Sequence, residues 1–466
     1  MKVPRSAARF ILVVAGFALA GCDTMLAGVR VPESAPPRRV FAQTGVVNAP
    51  LVAGQEPPDL PLTPAGKKSP LVMLAISGGG SRASYYAARV MEQLSQVPNA
   101  AGEGSVLDSV RVISGVSAGS LAAAWYCVNF DQRGAPDFFE RFKNSMALNL
   151  QWRSYGHMAV FPPLALQLLA TGVTRTDLLA NEIERVLGRP ATFNDLRAGE
   201  ARPHDPAPIL ITNGTVYNTG QRLVMSNLPA RRFPAPLADS RLRVASQGSG
   251  MRALMELMQP LTFEDFGSDI GSFRVAHAVA ASAAYPILLA PFRLKVYPEH
   301  VPPTSAGRVS PQLLASPWIH VADGGLVENE GLDALISILK TLDRNQPVLF
   351  IIIQANFRLE TKKVDRNEIW GPLDVIYRMY DIGTLRPLAL YGAHIAQFHN
   401  PAALEAVVIR LEGYDPDTNN LLRRIPTAFK LSKEHREAID AVAVQNVAQV
   451  TPELHAAISR LARSKR

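Results

Sequence analysis

The sequence is poor in the features that several large classes of protein depend on. Only two of its 466 residues are cysteines, Cys22 and Cys127, so at most one intrachain disulfide could form. It has no lysine- and arginine-rich run with interleaved aromatic side chains, which argues against a nucleic-acid partner. A Gly-Lys-Ser/Thr motif is absent, and no cluster of aspartate, glutamate and histidine suggests a metal site. We therefore expect no nucleic acid, no metal and no other cofactor.

The N-terminal hydrophobic run, Ile11 to Ala20, is too short to span a bilayer as a helix. Basic residues precede it, as in a secretory signal. The run ends in Leu19-Ala20-Gly21-Cys22, which resembles a bacterial lipobox, in which the cysteine is lipid-modified and becomes the new N-terminus. The alternative is an ordinary cleavage site with a cysteine nearby. We predict a lipoprotein signal peptide over residues 1–21, lipidation of Cys22, and a membrane-anchored lipoprotein of the bacterial cell envelope that faces the periplasm.

The next segment, residues 22–70, is rich in proline and has little apolar periodicity. It includes Pro36-Pro37 and Pro57-Pro58. This composition predicts an extended tether and not a folded domain.

Two strand–turn–helix units follow the tether. The apolar strand Leu71 to Ile76 leads through a triple glycine into a helix from Ala83 to Leu94. The β-branched run Val110 to Ile113 leads through a second glycine-containing turn into a helix around Leu121 to Tyr126. Consecutive units of this kind predict an α/β fold that begins with a parallel sheet.

The second turn, Gly115-Val116-Ser117-Ala118-Gly119, is a G-x-S-x-G motif. A sharp strand-to-helix turn needs small residues on either side of its apex, here Gly115 and Gly119, and exposes the apex Ser117 at the positive end of a helix. That placement suits a nucleophile. The motif alone also fits a glycine-rich turn with an incidental serine.

The first turn, Gly78-Gly79-Gly80, can be interpreted in two functional ways. It begins a G-x-G-x-x-G nucleotide motif, but Ala83 replaces the third glycine and the next strand does not end in an acidic residue. The other interpretation is an oxyanion hole, formed by backbone N–H groups beside a nucleophile. We favour the second.

A serine nucleophile needs a base, and the sequence offers two candidates. Asp323 ends the predicted strand from Ile319 and precedes Gly324-Gly325, which leave room for a close approach. A Ser-His-Asp arrangement would instead need a histidine after the acid. His394 satisfies that order, although it falls in a predicted helix, Leu388 to Phe398.

Four motifs together resemble the patatin-like phospholipases, over about residues 70 to 355. They occur in the family's order: Gly78-Gly79-Gly80-Ser81-Arg82, Gly115-Val116-Ser117-Ala118-Gly119, Ala281-Ser282-Ala283-Ala284-Tyr285-Pro286 and Asp323-Gly324-Gly325. The resemblance implies an α/β three-layer sandwich, with a mainly parallel central sheet flanked by helices. It also implies a lipid acyl hydrolase of the phospholipase or lysophospholipase type, with a Ser117–Asp323 dyad that acts through an acyl-enzyme. The backbone of Gly78, Gly79 and Gly80, together with Arg82, would form the oxyanion hole, and a membrane lipid would be the substrate.

The predicted domain organisation is a catalytic domain over residues 71–355 followed by a mainly helical extension over 356–466. Two closing helices, Lys433 to Val450 and Pro452 to Arg463, are expected in the extension, with Thr451 capping the second. Two alternatives to the dyad hydrolase remain open: a Ser-His-Asp esterase, and a non-catalytic lipid-binding envelope lipoprotein that kept the fold.

Overall fold

The computed structural model describes residues 47–63, 70–102, 104–150, 174–235, 258–286, 289–305, 307–355, 395, 398–413, 415–425 and 430–464. The predicted signal peptide, Cys22 and His394 lie outside these residues. Among the helices of the described residues, none is long and apolar enough to cross a bilayer.

The described residues form a mixed eight-stranded sheet with helices on both faces, and a separate two-stranded ribbon. The ribbon pairs β1 (Ala49–Pro50) with β6 (Ser268–Asp269). The sheet strands are β2 (Leu71–Ile76), β3 (Val110–Val116), β4 (Ile209–Val216), β5 (Gln221–Ser226), β7 (Phe292–Lys295), β8 (Trp318–Asp323), β9 (Val348–Gln354) and β10 (Leu404–Arg410). Their order is β10-β9-β2-β3-β4-β8-β7, with β5 also paired to β4. The pairings from β10 to β4 are parallel, and those of β5, β7 and β8 are antiparallel.

Ten α-helices in the described residues cover this sheet. They are α1 (Ser81–Leu94), α2 (Ala118–Val128), α3 (Phe138–Met146), α4 (Arg175–Leu187), α5 (Phe193–Glu200), α6 (Val275–Ser282), α7 (Pro311–Leu314), α8 (Leu332–Leu339), α9 (Pro416–Arg423) and α10 (Lys433–Ser464).

The two faces of the sheet carry separate hydrophobic cores. Alternate side chains of β2 divide between them: Leu74 and Ile76 pack with α1, α2 and α6, whereas Met73 and Ala75 pack with α8. Every residue of β2, β3 and β9 is buried. This explains why β2 and residues 348–353 of β9 are unbroken apolar runs, because a parallel strand covered on both faces has no side for exposed polar residues. The predicted α/β three-layer fold is confirmed.

The register of β4 brings two distant strand ends together. One edge of β4 pairs with β5. On its other edge, parallel β3 ends with Val116 opposite Asn213, and antiparallel β8 ends with Asp323 opposite the next residue, Gly214. Since β3 and β8 approach from opposite directions, Ser117 and Asp323 face each other although 206 residues separate them.

The last part of the predicted tether is packed on the fold. Leu51, Leu60 and Leu62 are buried, and the carbonyl of Pro61 accepts hydrogen bonds from the buried Arg111 guanidinium at 3.0 and 2.9 Å. The prediction of a free tether is therefore wrong for residues 47–63, because widely spaced leucines anchor a segment that has no helical or strand periodicity.

The C-terminal segment is part of the sheet as well as helical. Strand β10 pairs in parallel with β9, so the sheet continues across the predicted boundary at residue 355. One helix, α10, replaces the two that were predicted, with Pro452 inside it. The Thr451 hydroxyl donates to the Val447 carbonyl at 2.7 Å and so does not cap a second helix. Proline removes one backbone hydrogen bond, but buried Val447 and Leu454 on either side hold the helix against the core.

Candidate active site

Ser117 lies at the apex of a strained turn between β3 and α2. Its backbone has φ 52° and ψ −127°, which is unusual for a residue with a side chain and costs on the order of 1–3 kcal/mol. A side chain at Gly119 would collide with the Ser77 carbonyl, so the motif's second glycine is required by close packing. The serine is 8% exposed, so its oxygen is near the surface but largely desolvated.

Asp323 accepts a hydrogen bond directly from the serine. The Ser117 Oγ lies 2.8 Å from Asp323 Oδ2, and the other carboxylate oxygen, Oδ1, accepts from the Gly325 N–H at 2.8 Å. A side chain at Gly324 would collide with the Asn213 carbonyl, which is why the chain turns here through glycine. The two residues that the sequence paired as a candidate dyad are therefore in contact.

The environment of Asp323 makes its carboxylate more basic. The residue is 2% exposed, and burial raises the pKa of its carboxyl to about 6, while the Gly325 N–H and the Ser117 hydroxyl oppose the rise. Near pH 7 most of the carboxylate is still ionised, and it holds a proton more readily than an exposed aspartate would. This is the shift that a general base needs.

If this pair cleaves esters with Asp323 as the base, the rate should depend on the ionisation of that carboxyl. A base must be unprotonated, so kcat/KM should be level above the raised pKa of about 6 and fall by about tenfold per pH unit below it. The measurement is kcat/KM between pH 4.5 and 8, with circular dichroism at each pH to exclude unfolding. A level profile down to pH 4.5 in folded protein would show that Asp323 is not the base.

The glycine loop lies beside the serine, as the sequence predicts, but its three N–H groups are not equivalent. A Cβ placed on Gly78 would lie 3.3 Å from the Ser117 Cβ. The Gly78 N–H donates to the Asn329 carbonyl at 2.9 Å, so that group is already engaged. Among the described residues, no hydrogen bond uses the N–H of Gly79 or Gly80 as donor. These two groups are the ones the loop can offer to an oxyanion.

Arg82 points toward the C-terminal segment. It is buried, and its Nη1 donates to the Ile425 carbonyl at 3.1 Å, just past the end of α9. The carbonyls at a helix end attract a cation, which accounts for this orientation. The side chain ties α1 to the C-terminal segment, and its place in the oxyanion hole stays a prediction.

Three further polar residues surround the pair. The Ser117 N–H donates to Ser282 Oγ at 2.9 Å, and Ser282 Oγ donates to the Asn213 carbonyl at 2.5 Å. The Thr215 hydroxyl donates to the Asp323 carbonyl at 2.8 Å. Ser282 stands in one of the four sequence motifs, but nothing in the sequence singled out Asn213 or Thr215.

Histidine takes no part in the described contacts of the pair. The hydrogen bonds of the Ser117 and Asp323 side chains go to each other and to Gly325, within the part of the chain that the structure describes. His277 is buried in α6 against Phe273 and Phe292. Burial lowers the pKa of its imidazole to about 4.

The family model for patatin-like phospholipase matches residues 74–336, which span more than half of the chain and include both Ser117 and Asp323. Among curated proteins, none matches the chain in sequence.

Solved structures that match the chain include a human protein and one from Legionella pneumophila. Human GIVD cytosolic phospholipase A2 is 11% identical with a TM-score of 0.47, over 85% of this chain and 61% of that protein. The chain thus spans about three fifths of the human protein's length. VipD from Legionella pneumophila is 12% identical with a TM-score of 0.32, over 93% of this chain and 73% of that one. The type III effector protein ExoU is 15% identical with a TM-score of 0.30, over 83% and 54%.

Proposed function

This chain belongs to the patatin-like phospholipase family, and we propose that it is a lipid acyl hydrolase that cleaves esters through a Ser117–Asp323 dyad. The observation that carries the proposal is the 2.8 Å hydrogen bond from Ser117 Oγ to a buried Asp323 carboxylate. The nucleophile and its base lie within direct proton-transfer distance, and the serine stands at the N-terminus of α2, where negative charge is stabilised.

In the proposed reaction, Asp323 accepts the Ser117 proton as the serine oxygen attacks the ester carbonyl carbon. The oxyanion that forms is held by the N–H groups of Gly79 and Gly80, and losing one such donor typically costs about 10²–10³ in rate. The intermediate then expels the alcohol, which takes the proton back from Asp323, and leaves an acyl-serine. Water, deprotonated by the same carboxylate, then attacks the acyl-serine. The fatty acid is released, and Asp323 returns the proton to Ser117 Oγ.

The substrate test uses a total membrane lipid extract incubated with purified protein. Mass spectrometry of the products should show a rise in free fatty acid with a matching loss of one lipid class, and no change with an inactive variant. The lipid class that disappears identifies the head group, and paired lysolipids identify the acyl position. No change in any lipid, with lipid still bound to the protein, would instead favour a non-catalytic lipid-binding lipoprotein.

We also propose that the protein is anchored to the bacterial membrane through a lipidated Cys22, with residues 23–46 as a tether and the catalytic domain on the periplasmic face. The sequence Leu19-Ala20-Gly21-Cys22 after a basic and apolar N-terminus supports this. Several acyl chains on one residue would anchor firmly, whereas a single chain is marginal.

Replacing Cys22 with serine should release the protein from the membrane. In a bacterial host fed an alkyne fatty acid, the wild type should be labelled and sediment with membranes, and Cys22→Ser should be unlabelled and soluble. Cys127→Ser is the matched control, because Cys127 is buried in α2 and should not affect labelling. Undiminished labelling of Cys22→Ser would refute the anchor.

A further inference from the structure

The end of helix α6 contacts the backbone of both dyad residues. Ser282 is the last residue of α6, and its Oγ accepts the Ser117 N–H at 2.9 Å. Two residues later, the carbonyl of Ala284 accepts the Asp323 N–H at 3.0 Å. The serine and the aspartate come from different strands. This short segment links them through hydrogen bonds to their backbones, in addition to the bond between their side chains.

The Ser282 hydroxyl uses its hydrogen-bonding capacity in two directions. A serine hydroxyl has one proton to donate and lone pairs to accept. Here it accepts from Ser117 and donates to the Asn213 carbonyl at 2.5 Å, on the strand whose register aligns β3 with β8. Ser282 is fully buried, so no solvent can replace either bond if the hydroxyl is removed.

The packing of α6 is suited to keep the distance between Ser117 and Asp323 fixed. Every residue of α6 is buried, and the helix contacts α2, β4 and β8, which are the elements that carry or align the dyad. On the opposite side of Asp323, the Thr215 hydroxyl holds the Asp323 carbonyl at 2.8 Å. Both peptide groups of the aspartate are therefore fixed before any substrate arrives.

The Ser117 backbone needs such support. Its φ of 52° is unfavourable for a residue with a Cβ, and its N–H lies outside the hydrogen-bond ladder of α2, since Ser117 is the residue before the helix. Without Ser282, the N–H would be buried and unpaired, and the turn could relax toward an ordinary conformation. A relaxed turn would move Oγ away from Asp323.

We propose that Ser282 is a positioning residue for the dyad: its hydroxyl holds the Ser117 backbone in the strained conformation that places Oγ 2.8 Å from the Asp323 carboxylate. This proposal rests on the proposed esterase chemistry. Its consequence is specific, because a misplaced nucleophile slows acylation while leaving substrate binding intact.

The test is hydrolysis of p-nitrophenyl butyrate by full-length Ser282→Ala. We expect kcat to fall by about 10- to 100-fold with KM within about twofold of wild type, since a displacement of about 1 Å can cost 10²-fold. Hydrogen exchange at the Ser117 amide should become faster. Ser282→Thr, which keeps the hydroxyl, should restore at least part of kcat.

Ser268→Ala is the matched control for stability. Ser268 is also buried, and its hydroxyl also accepts an N–H, from Asn48, at 2.8 Å. It should lower the melting temperature as much as Ser282→Ala does without reducing kcat. If Ser282→Ala does not fold, Ser282→Cys supplies the same comparison with a side chain of similar shape and weak hydrogen bonding.

The possible outcomes separate the two proposals. Wild-type kcat in Ser282→Ala, or unchanged exchange at the Ser117 amide, would overturn the positioning role and leave the dyad intact. A loss of kcat that Ser282→Thr does not restore and that Ser268→Ala shares would also overturn it, since it would reflect general destabilisation. Absence of any ester cleavage by the wild type would overturn the proposed function itself.

Discussion

Ser117→Ala is expected to reduce ester hydrolysis by about 10⁴- to 10⁶-fold, which is the loss seen when a serine nucleophile is removed. The variant loses the oxygen that the geometry places both next to the Asp323 carboxylate and at the N-terminus of α2. Substrate binding should persist, because the groups around the serine are unchanged. The measurement is kcat on a soluble ester, together with binding of a non-hydrolysable lipid ether.

The fold should tolerate this change. Alanine keeps the Cβ of Ser117 and the backbone N–H that donates to Ser282 Oγ. The melting temperature should stay within a few degrees of wild type. Ser337→Ala is a matched control, since Ser337 is a buried serine that bonds Arg222 and the Asp333 carbonyl on the opposite face of the sheet. It should keep full activity. Activity of Ser117→Ala within tenfold of wild type would exclude Ser117 as the nucleophile.

Asp323→Asn is expected to lower kcat by about 10³- to 10⁴-fold while leaving the serine in place, by comparison with loss of the acid in serine hydrolases. The amide has nearly the same shape, and its oxygen can still accept the Gly325 N–H, but it cannot accept the serine proton. Reaction of Ser117 with a fluorophosphonate should slow in parallel. The measurement is kcat of the variant against that of the wild type at pH 8.

The same substitution should change stability in a pH-dependent way. The pKa of Asp323 is raised in the fold to about 6, so its contribution to stability is present at low pH and is lost as pH rises through that value. At pH 8 the wild type carries the cost of a buried anion and Asp323→Asn does not. The melting temperature of the variant relative to wild type should therefore be higher at pH 8 than at pH 5.

Asp269→Asn is the matched control for Asp323→Asn. Asp269 Oδ1 accepts the N–H of Gly271, two residues later, at 2.8 Å, and Asp323 Oδ1 makes the same kind of bond with Gly325. Asp269, however, lies away from Ser117. This control should keep its activity. Retained activity in Asp323→Asn, together with a melting temperature difference that does not vary with pH, would contradict both the base role and the buried anion.

Much of the fold was predictable because its central strands are buried on both faces. An unbroken apolar run such as Val348 to Ile353, preceded by a helix, predicts a buried parallel strand and fits few other structures. Helix ends in the C-terminal segment were less predictable. Pro452 is a strong stop signal locally, but burial of residues on either side keeps α10 continuous, and such packing has no local signature.

The candidate site was predictable where its residues occupy turns with strict steric demands. Gly119 and Gly324 stand where a side chain would strike the backbone, so glycine marks those turns in the sequence. Asn213 and Thr215 could not be found in this way. They act through one carbonyl and one hydroxyl on an ordinary β-strand, and only the pairing of β4 with β3 and β8 places them next to the dyad.

The orientation of Arg82 shows the same limit. The resemblance to the patatin-like family implied that Arg82 would take part in the oxyanion hole. Its Nη1 donates to the Ile425 carbonyl, 343 residues away. No local sequence pattern around Arg82 predicts a contact with a residue so distant along the chain.

The most direct test of the dyad is to locate the adduct of a fluorophosphonate probe by peptide mass spectrometry in the wild type and in Asp323→Asn. If Asp323 activates the nucleophile, we expect a single adduct, on Ser117. It should form at least about 100-fold more slowly in Asp323→Asn than in the wild type. An adduct on another residue, or equal labelling rates in the two proteins, would contradict it.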